Sequence, residues 1–170
     1  SGTLRVNDNT AGNLRNDLSI LAGAHLEGIG SVGSAGSKVT NAGVVMPGNP
    51  NNPYGTLTVR GNYDGQPGGV VTINTVLGND NSVHSTLHIN GNTGLIPNDV
   101  RVINNNGQGG VATHGIPIIL VDGGDATTPG AFRRFMTIRW PTPPPGWSAP
   151  RLYSAFCPSP WAASDGNSVG

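Results

Sequence analysis

Four histidines, nine acidic residues and one cysteine are the groups in these 170 residues with the chemistry of a reactive site. His84 and His88 stand four apart, a spacing that lets two imidazoles share a metal on one helix face. Here, however, residues 85–87 read as entry into a strand. On a strand the pair would stand far apart, and no third ligand lies near. His25 and His114 occupy loop-like positions without partners. Glycosidic hydrolysis needs two carboxylates at a defined separation. The one glutamate is Glu27, and the one close aspartate pair is Asp122 and Asp125, in VDGGDATTPG, where aspartate beside glycine makes turns. GQGG at residues 107–110 lacks the lysine of a phosphate loop and opens no helix. Cys157 lacks the nearby histidine or positive charge that activates a thiolate. These residues predict a non-enzymatic chain without a catalytic centre, a metal or a cofactor.

The elements that would carry any such site read as strands. From residue 54 to 92 the chain holds three short alternating runs, closed by glycine, asparagine or aspartate. Leu57 and Val59 alternate with Thr56, Thr58 and Arg60. Val71 and Ile73 alternate with Thr72 and Asn74, and Leu87 and Ile89 with Thr86, His88 and Asn90. A period of two with one apolar face is the mark of a half-buried strand. Val102, Ile118 and Leu120 continue the series, the last two in the apolar run IPIILV at 116–121. Pro117 places that run at an edge or a bulge. From Leu57 onward the strand centres recur about every 13 to 16 residues, too tight for helical crossovers. No segment carries helical periodicity; residues 13–21 could form one turn, but Leu18 and Ile20 alternate as in a strand.

Charged residues make up only 11% and the net charge is +0, which leaves little to attract nucleic acid or an anionic membrane. Regular short strands with low charge argue against disorder. One cysteine excludes an internal disulfide, and no apolar run is long enough for a transmembrane helix. Ser1 opens in strand-like sequence without a signal peptide, so the chain reads as part of something longer.

Two all-β architectures compete. A sandwich fills its broad interior with bulky residues. Before residue 130 this chain has neither tryptophan nor phenylalanine, and its only tyrosines there are Tyr54 and Tyr63. A right-handed, single-stranded parallel β-helix needs only short aliphatic side chains in a narrow column, with Gly and Asn at its corners. That fold is the expectation, with Leu57, Val59, Val71, Ile73, Leu87, Ile89, Val102, Ile118 and Leu120 as the stacked core.

Several runs also resemble a known family. SKVTNAGVVMPGNPNNPYGTLTVRGNY, then GGVVTINTVLGNDNSVHSTLHINGNT and GIPIILVDGG, are similar to the C-terminal passenger region of bacterial autotransporters. GTLTVRGNY at residues 55–63 and the NAG…PGN pattern at 41–49 are the most specific parts, within a resemblance spanning about residues 18–132. The resemblance implies a β-helical passenger stem and a hairpin-like, autochaperone-like cap over residues 1–132. It implies as partners an upstream passenger β-helix and a downstream outer-membrane barrel of the same polypeptide. The implied location is the surface or outer membrane of a Gram-negative bacterium, or the medium. The implied role is to help the upstream β-helix fold during secretion.

A second reading is an adhesin segment that displays the loops at 49–54, 78–83 and 107–113 to a host-surface glycan or protein. A third is a β-helix polysaccharide-degrading enzyme. After Phe132 the pattern departs. Residues 133–170 hold all three tryptophans, Cys157 and a proline cluster at 141–145 that forbids a central strand. They read either as an irregular Pro-rich surface tail or as sequence translated out of frame.

Overall fold

The computed structural model describes residues 2–7, 15–123 and 132–135, with side chains in the last segment described for Phe132 alone. Most of the 133–170 segment, with Cys157, and also Asp125 lie outside the described residues. The described chain contains no helix. It is built of fourteen strands: β1 (Thr3–Val6), β2 (Leu18–Ile20), β3 (His25–Gly28), β4 (Gly30–Val32), β5 (Lys38–Asn41), β6 (Val44–Pro47), β7 (Thr56–Val59), β8 (Asn62–Gly65), β9 (Val70–Val76), β10 (Val83–His84), β11 (Thr86–Ile89), β12 (Asn98–Asn104), β13 (Ile119–Val121) and β14 (Phe132–Phe135).

These strands form three open sheets, none closed into a barrel. A seven-stranded sheet runs β1-β3-β6-β9-β12-β14, with β10 paired to β9; a four-stranded sheet runs β13-β11-β7-β4; a three-stranded sheet runs β2-β5-β8. All pairings between named strands are parallel except β9 with β10. From β3 onward the chain visits the large, the four-stranded and the three-stranded sheet in that order, and repeats. On the third visit to the small sheet only a bridge remains, Tyr63 with Thr93. Such a cyclic order is consistent with a parallel β-helix.

The register explains the spacing seen in the sequence. Leu57 pairs with Leu87 in the four-stranded sheet, and Val71 with Val100 in the large one. Neighbouring apolar runs in the sequence therefore belong to alternate sheets, and a full circuit is nearly twice the spacing between them. Among the described strands the antiparallel ladder, Val83 with Val76 and His84 with Thr75, lies within the stack and not at its C-terminal end. The last described strand, β14, is parallel to β12. It runs across the 132/133 boundary, so the strand pattern continues past Phe132.

Turns between the sheets rely on glycine where backbones touch. Gly28 has φ 134°, and a Cβ there would fall 1.8 Å from the Val6 carbonyl oxygen. A side chain at that position would both strain the backbone and lift β1 off β3.

Candidate functional site

The inner faces of the three sheets meet in one aliphatic column. Leu57, Val59, Val71, Ile73, Leu87 and Ile89 are wholly buried, and Val102 is nearly so. Leu26, Val32, Val39 and Val45 extend the same cluster towards the N-terminal strands, and Ile118 packs against it half-buried. Leu120 does not belong there: it is 39% exposed. In the ladder of β11 and β13, Leu87 faces Ile119, Ile89 faces Val121, and Leu120 lies beside His88 on the outer face. The residues that pack inward from this strand are Ile119 and Val121. The run IPIILV is apolar at every position, so its composition carries no parity; only pairing assigns the faces.

A polar cluster sits within this apolar interior. Asn41, Tyr63 and Asn98 are at most 1% exposed. The Tyr63 hydroxyl donates to Asn98 Oδ1 at 2.6 Å, and Asn41 Nδ2 donates to Tyr63 Oη at 2.8 Å and to Asn98 Oδ1 at 2.9 Å. Backbone groups complete it: Asn41 Oδ1 accepts from the Gly43 amide, and Asn98 Nδ2 donates to the Gln66 carbonyl at 3.0 Å. The ring of Tyr63 lies 5.6 Å from that of Phe132 on β14. Burial raises the Tyr63 pKa far above its usual value, against a smaller opposing effect of the Asn41 hydrogen bond, so the phenol stays a neutral donor. Every buried side-chain nitrogen and oxygen among the described residues has a partner. The three residues belong to three different circuits of the chain. Nothing local in the sequence marks them, although Tyr63 is one of just two aromatics before residue 130.

The groups considered for chemistry are dispersed. Glu27 is tied to Arg5, Nε donating to Oε1 at 2.6 Å, and this pair fastens β1 to β3. His84 lies in β10 and bonds the Ser82 carbonyl through Nδ1 at 2.6 Å, whereas His88 lies in β11 and meets Asp122 at 2.8 Å. The two histidines thus sit in different sheets with different partners. His25 is not in a loop but opens β3, exposed, and His114, also exposed, is not without a partner: its Nδ1 lies 3.3 Å from Asp80 Oδ2. Gly107 closes a turn with Asn104, whose Oδ1 accepts its amide. No group of three metal-ligating side chains occurs among the described residues. A shallow recess between Lys38, Asp64 and Asn92 contains one carboxylate, where glycosidic hydrolysis needs two.

The loops have internal order of their own. In residues 49–54, Asn49 Oδ1 accepts from the Asn51 and Asn52 amides. The 78–83 and 107–115 segments are joined through Asp80. Its Oδ2 accepts from the Thr113 hydroxyl at 2.6 Å and the Thr113 amide at 3.1 Å, and its Oδ1 from the His114 and Gly115 amides at 3.0 and 3.1 Å.

What the arrangement offers is backbone. Among the described residues, β1, β2 and β4 at one end of the stack each pair on one side only, and at the other end β13 and β14 do the same. Such edges present a row of free amides and carbonyls to any further strand. No match is found among curated proteins. The family model described as Autochaperone Domain Type 1 matches residues 34–139, more than half the chain and past the point where the resemblance had been expected to end. With parallel sheets around an aliphatic column beneath that match, the chain belongs to the Autochaperone Domain Type 1 family and represents an autotransporter autochaperone region.

Proposed function

We propose that this chain is a non-enzymatic passenger-stem and autochaperone module that templates β-helix folding as an autotransporter crosses the outer membrane. The three sheets are the faces of a right-handed parallel β-helix, and each circuit is one coil. The observation that supports this reading is the edge formed by β1, β2 and β4, each paired on one side only among the described residues, next to which Val6, Leu18 and Ile20 continue the aliphatic column. In a stacked repeat the first coil is the costly one, because it fixes a long loop before any neighbour rewards it. A coil already formed supplies both the hydrogen-bonding edge and the apolar platform, so each arriving segment has only to add. Outside the cell no ATP is at hand, and sequential stacking biases the chain against sliding back.

The partners in this reading are the upstream passenger β-helix, which docks on the free edge, and the downstream outer-membrane barrel of the same polypeptide. The location is the surface of a Gram-negative cell, or the medium after release. A direct test is to refold a denatured N-terminal passenger segment with and without this chain in trans, following regain of protease resistance. Faster or more complete refolding is expected with the chain, and none of that gain with an Ile73→Asp variant. Equal refolding in all three mixtures, with glycan or host-cell binding by the chain alone, would replace this reading with adhesion.

A further inference from the structure

We propose that the buried Asn41–Tyr63–Asn98 network is a register key, which selects the strand alignment in which successive circuits of the chain stack. The aliphatic column cannot make this selection unaided. Inward positions are short apolar residues at every second place, so a slip of two residues along a strand keeps apolar groups inside. The polar trio has no such freedom. Val39 pairs with Tyr63, Asn41 with Gly65, and Asn98 with Phe132. Only in that alignment do one hydroxyl and two amides from three separate circuits meet within 2.9 Å.

The surrounding backbone is cut to the same alignment. A Cβ on Gly65 would fall 2.2 Å from the Ile96 carbonyl oxygen, and one on Gly69 would fall 2.4 Å from Asn98 Nδ2. Both positions are empty of side chain where the Asn98 amide passes. A slipped stack would leave buried amides without partners in an apolar interior, whereas the native one satisfies all of them. Polar groups placed once in an otherwise uniform apolar seam fix alignment in other repeating architectures by the same physics. The inference concerns the folded chain by itself, so its failure leaves the templating reading standing.

The test reads alignment directly in the full chain, in a Cys157→Ser background. Thr40 and Asp64 are register partners on the outer face of the small sheet, while Thr40 with Asn62 reports a two-residue slip. Cysteine pairs at these positions are refolded from denaturant under oxidising conditions. The parent is expected to cross-link only the Thr40→Cys/Asp64→Cys pair. Asn98→Ala, and to a smaller degree Tyr63→Phe, should raise the slipped Thr40→Cys/Asn62→Cys cross-link several-fold. Ile73→Ala, which opens a cavity outside the trio, serves as the control for lost stability and should show the native pair alone. A slipped cross-link that stays at the parent level in both Asn98→Ala and Tyr63→Phe, or that rises equally in Ile73→Ala, overturns the proposal. Should Asn98→Ala fail to fold, Tyr63→Phe, which removes one oxygen, decides between the same two outcomes.

Discussion

Ile73 and Leu120 are near-isosteric and stand in opposite surroundings, the first wholly buried in the column and the second 39% exposed beside His88. Aspartate at position 73 would bring a carboxylate among Val71, Val102 and their neighbours with no cation in reach. Ile73→Asp is expected to cost about 4 kcal/mol. For a chain of this size that lowers Tm by roughly 8–16 °C. Leu120→Asp puts its charge in water and should stay within about 0.5 kcal/mol of the parent. Thermal melts of the two variants side by side check the assignment of faces; equal losses would show that β13 turns its other side inward.

The strands differ in how plainly their residues announced them. Thr56–Val59 and Thr86–Ile89 alternate cleanly, and period two alone locates them, whereas Val70–Val76 alternates only over residues 71–74 and buries Thr72 and Thr75 as well. GTLRV and GTLTV look alike in sequence, yet among the described residues β1 lies at the edge of its sheet with Leu4 39% exposed, while β7 is an interior strand with Leu57 wholly buried. Local pattern does not say how many neighbours a strand has. Nor could it reveal the trio at Asn41, Tyr63 and Asn98, which is assembled by stacking across 57 residues of chain. The short β10 was hidden for another reason: its register with β9 depends on a turn that Ser82 closes through the Gly78 amide. That turn is anchored in space by Asp80. The Thr113 hydroxyl, then the His114 amide, hold the Asp80 carboxyl well below the usual carboxylate range. Since the folded form favours the carboxylate, the clamp contributes fully above the ordinary aspartate value of about 3.9 and is withdrawn only as pH falls through the lowered folded value. The Thr113, His114 and Gly115 amides should therefore keep their protection from hydrogen exchange at pH 3, and lose it at any pH in Asp80→Ala. Protection that fades around the ordinary aspartate value would mean that the carboxylate does not hold these amides.

For the molecule as a whole, stability should be distributed along the stack rather than shared evenly. Within the large sheet each strand pairs only with its immediate neighbours, so opening can begin at an end before it reaches the middle. β9 is flanked by β6 and β12 and carries β10 besides, whereas among the described residues β1 pairs with β3 alone, with the Arg5–Glu27 pair as a side-chain fastening. Amides in β1 should exchange at least about 100-fold faster than those in the centre of β9, a difference of roughly 2.8 kcal/mol in opening free energy. Arg5→Ala should widen the gap by freeing β1 while leaving β9 unchanged. The same asymmetry is what a template requires: a centre that persists, and an edge loose enough to accept new chain. Exchange at one common rate through β1, β3, β6 and β9 would instead describe an all-or-none unit, in which no edge could be renewed without unfolding the stack that supports it.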